Sequence, residues 1–216
     1  MLLRAAYHEA LEAAETDLGT LGAMMVDALH HGIRAVQNSD TTLAARVIAG
    51  ADQTTELGRR IETTCIELIW RQQPLAGELR RVTAMFEIST DLQRINFYIV
   101  DVAKHAVRLA ETQRDAPRSA IDDVAKLTES NLQRAVSAYA GRNLELARSV
   151  LADDESFERL YGKGITTLQN AIRNNPETLS AATELLFVFT SLQRIGEHAE
   201  SIAWHTEEML EGDSAA

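Results

Sequence analysis

Two pairs of carboxylates stand one helical turn apart: Asp52 with Glu56, and Asp154 with Glu158. At that spacing both side chains leave the same face of a helix, and hard carboxylate oxygens so placed can chelate a divalent or trivalent cation. The second pair is the more informative. Along Ala147, Leu151, Asp154, Glu158, Tyr161 and Ile165 the steps are 4, 3, 4, 3, 4, which puts both acids in line with an apolar stripe, where a charge needs a partner or a metal. Glu197, one turn after Gln193 and beside His198 and Glu200, can join them from a later helix. The matching position one hundred residues earlier is Phe97, so the first pair gains no such ligand. The plain alternative for each pair is a solvated helix face.

Complete catalytic sets are missing. No histidine has a glutamate three residues before it, which removes the Glu-x-x-His ligands of di-iron bundles. There is no HExxH, no GxSxG and no Walker lysine loop. Residues 161–167, YGKGITT, superficially resemble a phosphate loop but continue a helical stripe, so Gly162 and Gly164 read as sites of bending or close packing. His30 and His31 fall near a helix end as solvated imidazoles. Arg59, Arg60, Arg71, Arg80 and Arg81 surround a turn, as ordinary surface charge or as a patch for an acidic partner. These features predict a protein that is not an enzyme, with no catalytic residue and no organic cofactor.

The elements that carry these residues are helices. Leu11, Ala14, Leu18, Leu21, Met25 and Ala28 keep a 3-4 alternation over a helix from about 4 to 37. Asn38, Ser39 and Asp40 break it and offer caps for a second helix over 41–72. Gln73 and Pro74 mark a turn. A third helix carries Leu79, Val82, Phe86, Leu92, Ile95, Ile99, Val102, Ala106 and Leu109. After a polar, proline-containing stretch at 112–119 the plan repeats, with helices over 121–140, from 144 onward, and after Pro176.

The repeat is visible as text. Residues 90–105, TDLQRINFYIVDVAKH, and 190–205, TSLQRIGEHAESIAWH, agree at seven of sixteen positions at one fixed offset, more than periodic leucines alone would give. Farther upstream Ala45, Arg46, Asp52 and Glu56 match Ala147, Arg148, Asp154 and Glu158 at an offset of 102, as Pro74 matches Pro176. Three amphipathic helices with short turns bury their stripes only against one another. The expected fold is therefore all-α: six helices in two tandem, pseudo-symmetric three-helix bundles, 1–113 and 119–216.

Composition agrees and narrows the partners. A net charge of −11 argues against a broad grip on nucleic-acid phosphates. The single cysteine, Cys65, cannot form an internal disulfide and lies in an apolar stretch, which fits a packed thiol in a reducing cytoplasm. The longest apolar run, 185–189, is far short of the roughly 20 residues that span a bilayer, and MLLRAAYHEA lacks a signal-peptide core. Direct membrane insertion is not expected. Docking on a membrane protein remains open, as does a homodimer.

Residues 79–106, LRRVTAMFEISTDLQRINFYIVDVAKHA, and 183–210, TELLFVFTSLQRIGEHAESIAWHTEEML, resemble the twin signature segments of the PhoU family, whose pattern is close to DLERIGDHAxxIA. QQPLAGELRRV at 72–82 resembles the family's QxPxAxDLR turn. The resemblance covers nearly the whole chain in order. It implies two three-helix bundles and a cytoplasmic regulator, without enzymatic activity, that links the ATPase subunit of a phosphate ABC transporter to a membrane sensor histidine kinase. An accessory of a simpler phosphate permease, and a metal-storage or oxidase bundle, are the alternatives. Some members hold iron or zinc through acid-x-x-x-acid motifs, which the resemblance carries onto Asp52/Glu56 and Asp154/Glu158. Gln93 and Gln193 replace the family's signature glutamate, and Phe97 its aspartate, with Glu197 in the second copy. Any metal is therefore expected at Asp154, Glu158 and Glu197 rather than at Asp52 and Glu56.

Overall fold

A computed structural model describes residues 2–74, 76–112 and 117–214. Three long helices form the first half: α1 (Leu2–Asn38), α2 (Thr41–Gln72) and α3 (Ala76–Glu111). The second half holds α4 (Asp122–Ala140), α5 (Leu144–Leu151), α6 (Asp154–Asn174) and α7 (Leu179–Ser214), with short 3-10 turns at Arg118–Ile121 and Pro176–Thr178. No strand occurs among the described residues. The stretch expected to join the copies, 112–119, lies between α3 and the first 3-10 turn, and its residues 113–116 fall outside the described part.

Local chemistry places the ends. Ser39 turns the chain with φ 54°, and the Asp40 carboxylate then accepts from Leu43 N at 2.9 Å, satisfying one orphan donor of α2. The second half repeats the device with Arg142 at φ 47° and Asn143 Oδ1 accepting from Leu146 N at 3.0 Å. At the far end of α2, Gln73 is left-handed and its N–H returns to Ile69 O at 3.1 Å.

These caps correct the repeat register. Asp40 corresponds to Asn143, an offset of 103 rather than 102. The buried positions follow it: Leu29 and Leu132, Ala44 and Ala147, Ile61 and Gly164, Cys65 and Leu168 are all fully buried. Asp154 and Glu158 therefore occupy the places of Ala51 and Thr55. The letters that match at 102 are mostly exposed ones, and exposed residues carry no register information.

One expected helix is two. The helix beginning at Leu144 stops at Leu151 and restarts at Asp154. Arg134 of α4 supplies the reason: its Nη1 donates to Ser149 O at 3.0 Å, the carbonyl that the Asp153 N–H would otherwise take. Asp153 N instead donates to Val150 O at 3.1 Å, and its carboxylate pairs with Arg134.

Each half packs three layers of helix around its stripes, and the buried side chains of both halves form one connected core. The join is α3 against α7, the most extensive helix pairing in the molecule. No helix among the described residues is long and apolar enough to cross a membrane.

Candidate functional site

The two signature segments lie on α3 and α7, which run antiparallel. His105 Nδ1 sits 2.7 Å from Glu184 Oε2, and His198 Nδ1 sits 2.8 Å from Asp91 Oδ1, so residues late in one helix meet residues early in the other. All four side chains are largely withdrawn from solvent, Asp91 and His105 most of all. Burial along 91–110 repeats position for position along 191–210, as a pseudo-twofold between the helices requires.

The outward stripes of this pair are aromatic and charged. Phe97, Phe187 and Trp204 are 58%, 50% and 49% exposed, unusual for large apolar side chains gathered on one helix pair. Phe187 stacks on His105 with ring centroids 4.9 Å apart, and Tyr98 stacks on His198 at 5.9 Å. Arg94, Lys104, Arg194 and Glu197 stand exposed among them. Arg194 Nη1 donates to Glu197 Oε2 at 2.7 Å, and this bond raises the pKa of the guanidinium.

The flanking seams differ. Between α2 and α3 the contacts are polar: Ser89 Oγ donates to Gly58 O at 3.2 Å, Gln93 Nε2 to Glu62 Oε1 at 2.7 Å, and Asn96 Nδ2 to Ala51 O at 3.1 Å and Thr55 Oγ1 at 3.3 Å. Between α6 and α7 they are aromatic. Tyr161 meets Phe189 edge to face at 5.6 Å. Phe157 lies 3.1 Å from where a Cβ on Gly196 would stand, and a Cβ on Gly164 would run into the Phe189 ring.

Asp52 and Glu56 are exposed on α2, one position off the face that Ala51 and Thr55 turn to α3. The first seam thus offers a single carboxylate, Glu62, already bonded to Gln93, among carbonyls, hydroxyls and amides, a poor set for a hard cation. Glu158 is exposed, Glu197 is bound to Arg194, and the side chain of Asp154 lies outside the described residues. Among the described residues no three histidine, cysteine or acidic side chains gather as a metal site.

The arginines near the α2–α3 turn disperse to separate partners: Arg60 to Asp17 at 2.8 Å, Arg71 to Glu67 at 3.5 Å, Arg81 to Glu15 at 2.6 Å, and Arg80 to the Gly212 carbonyl. His30 pairs with Glu129 and His31 with Asp27. Cys65 is buried, and burial pushes its thiol up to about 12. Sequence reasoning missed Asp91 and Glu184. The one available signal was Asp91 adjoining Leu92 and Ile95 inside an apolar stripe.

The family model described as the PhoU domain matches this chain twice, over residues 18–106 and 121–205. The chain belongs to the PhoU family. Both matches include a signature helix. A relative from Caulobacter vibrioides, named a phosphate-specific transport system accessory protein PhoU homolog, is 31% identical over 198 residues, covering 91% of this chain and 86% of that protein. The similarly named protein of Pseudomonas aeruginosa is 27% identical over 199 residues, covering 91% and 82%. The crystal structure of PhoU from Pseudomonas aeruginosa superposes with a TM-score of 0.92 at 26% identity, covering 95% of this chain and 99% of that one. The structure of the phosphate transport system regulatory protein PhoU from Streptococcus pneumoniae shares the fold, with a TM-score of 0.84 at 20% identity over 94% and 96%.

Proposed function

We propose that this chain is an accessory regulator of phosphate transport that restrains uptake and phosphate-starvation signalling by binding other proteins, with no chemistry of its own. In this reading the outward face of α3 and α7 docks on the ATPase subunit of a phosphate ABC transporter and on a membrane sensor histidine kinase, from the cytoplasmic side. The observation that carries it is the double family match, which spans both signature helices, together with the accessory role in the names of relatives aligned over nine-tenths of the chain. The exposed Phe97, Phe187 and Trp204 support the choice of face, because aromatic anchors dominate the energetics of protein interfaces.

The test is co-purification from phosphate-replete cells. The tagged wild-type chain should recover a transporter ATPase subunit or a sensor kinase, and Phe97→Ser combined with Trp204→Ser should lose it while melting like wild type. Recovery of neither partner by the wild-type chain would count against the reading.

A further inference from the structure

Between α1 and α2 lies a pocket of about 300 Å³, at the lower end of the volumes that hold small ligands. Met24, Ala28, Leu43 and Val47 form its apolar walls, the buried Thr54 and Asn96 lie at its floor, and the exposed Arg46 and Gly50 stand at its lip. Other polar groups of its lining have partners of their own. Asp27 lies 3.1 Å from His31 Nδ1, and the Asn96 amide nitrogen is spent on Ala51 and Thr55. The Arg46 guanidinium has no acidic partner among the described residues, and the residues one turn away on its own helix are Thr42 and Gly50.

Both features belong to the first bundle. In the second, Phe157 takes the place of Thr54 and packs its ring on Gly196, while Ser149 takes the place of Arg46. An apolar cleft with an uncompensated cation at its lip suits a ligand with an apolar body and one negative end. We propose that this pocket binds a small organic anion, a carboxylate or sulfonate, with its charge on Arg46 and its body against Met24, Ala28, Leu43 and Val47. Inorganic phosphate has nothing to offer those walls, and the inference stands apart from the phosphate-transport reading.

The test is a fluorescence titration of the full chain with 8-anilinonaphthalene-1-sulfonate, beside N-phenyl-1-naphthylamine, which has the same rings without the sulfonate. Wild type should bind the sulfonate at one saturable site that millimolar phosphate does not empty. Arg46→Gln should weaken the sulfonate roughly fivefold, as for loss of a partly exposed charge pair, and leave the amine unchanged. Gly50→Leu should remove saturable binding of both. A Cβ at Gly50 meets nothing within 4 Å, so that helix keeps its shape, and an unchanged or higher melting temperature confirms it. Sulfonate binding that survives Gly50→Leu, is indifferent to Arg46→Gln, or is displaced by phosphate would overturn the proposal.

Discussion

The α2–α3 and α6–α7 seams occupy equivalent places and are built from opposite materials. Where the first pairs buried Ile61 with buried Ser89, the second pairs Gly164 with Phe189. Where the first sets Thr54 beside Asn96, the second sets Phe157 on Gly196. Glu62, which takes the Thr90 hydroxyl at 3.0 Å and the Gln93 amide at 2.7 Å, is matched by Ile165. Volume is kept across each facing pair and not at each position, which is what a close-packed interior demands. One backbone plan thus carries a hydrogen-bonded seam in one half and an aromatic seam in the other.

The largest effect should come from exchanging material between the seams. Phe189→Ser alone empties a fully buried ring site and should cost about 3–5 kcal/mol, while Gly164→Ile alone overpacks against that ring and should cost about 3 kcal/mol. The double variant relieves the clash with the ring, though not the 2.9 Å approach of a residue-164 Cβ to the Ala120 carbonyl, and its cost should fall short of the summed loss by about 1 kcal/mol or more, as coupled neighbours do. Strict additivity in chemical denaturation would show that the seams are not interchangeable. Gly162, where a Cβ meets nothing within 4 Å, should accept alanine with a gain of about 0.5–1 kcal/mol.

Next comes pH. Cys65 matches Leu168, and burial raises its thiol from 9.0 to about 12. A pKa raised by folding means stability that is complete below pH 9 and is lost as pH climbs from 9 toward 12, with a slope of up to about 1.4 kcal/mol per unit. Cys65→Ala should flatten that slope whatever it does to the stability at pH 7. An unchanged slope would assign the alkaline loss elsewhere.

A smaller difference separates the two signature glutamines. Gln93 donates to Glu62 over Gly58, where a Cβ would come within 2.6 Å of its Cγ. Gln93→Ala should cost about 1 kcal/mol and leave Glu62 without that donor. Gln193→Ala, facing Tyr161 and Ile165 at the equivalent places, should cost less than about 0.5 kcal/mol. Equal losses in urea would erase the distinction between the seams at this position.

The helical fold, the caps and the correspondence of the two signature helices were legible because they rest on short-range rules: Asp40 and Asn143 are capping residues, and 90–105 repeats as 190–205. The break at Ala152 was not, because it depends on Arg134 reaching Ser149 from another helix. The upstream register was misread by one residue for a related reason. Buried positions had exchanged large for small across the seam, so the surviving identities were surface letters. That slip matters for the site, since it set Asp52 and Glu56 against Asp154 and Glu158 when their true counterparts are Ala51 and Thr55. The cross-helix pairs of His105 with Glu184 and His198 with Asp91 were invisible without the antiparallel docking of α3 on α7.

Metal content should show the smallest effect. Asp52 and Glu56 face solvent off the α3 side, so we assign any retained cation to Asp154, Glu158 and Glu197 alone. Elemental analysis of protein purified without a metal-affinity tag should fall to background in Asp154→Ala with Glu197→Ala. Stoichiometric metal that persists there would place the site elsewhere.

The reading of this chain as a brake on phosphate uptake is tested most directly by deleting its gene and measuring phosphate uptake and alkaline phosphatase in phosphate-replete medium. At least one should rise and return to its former level when the wild-type chain is restored. Uptake and phosphatase both unchanged by the deletion would contradict the account.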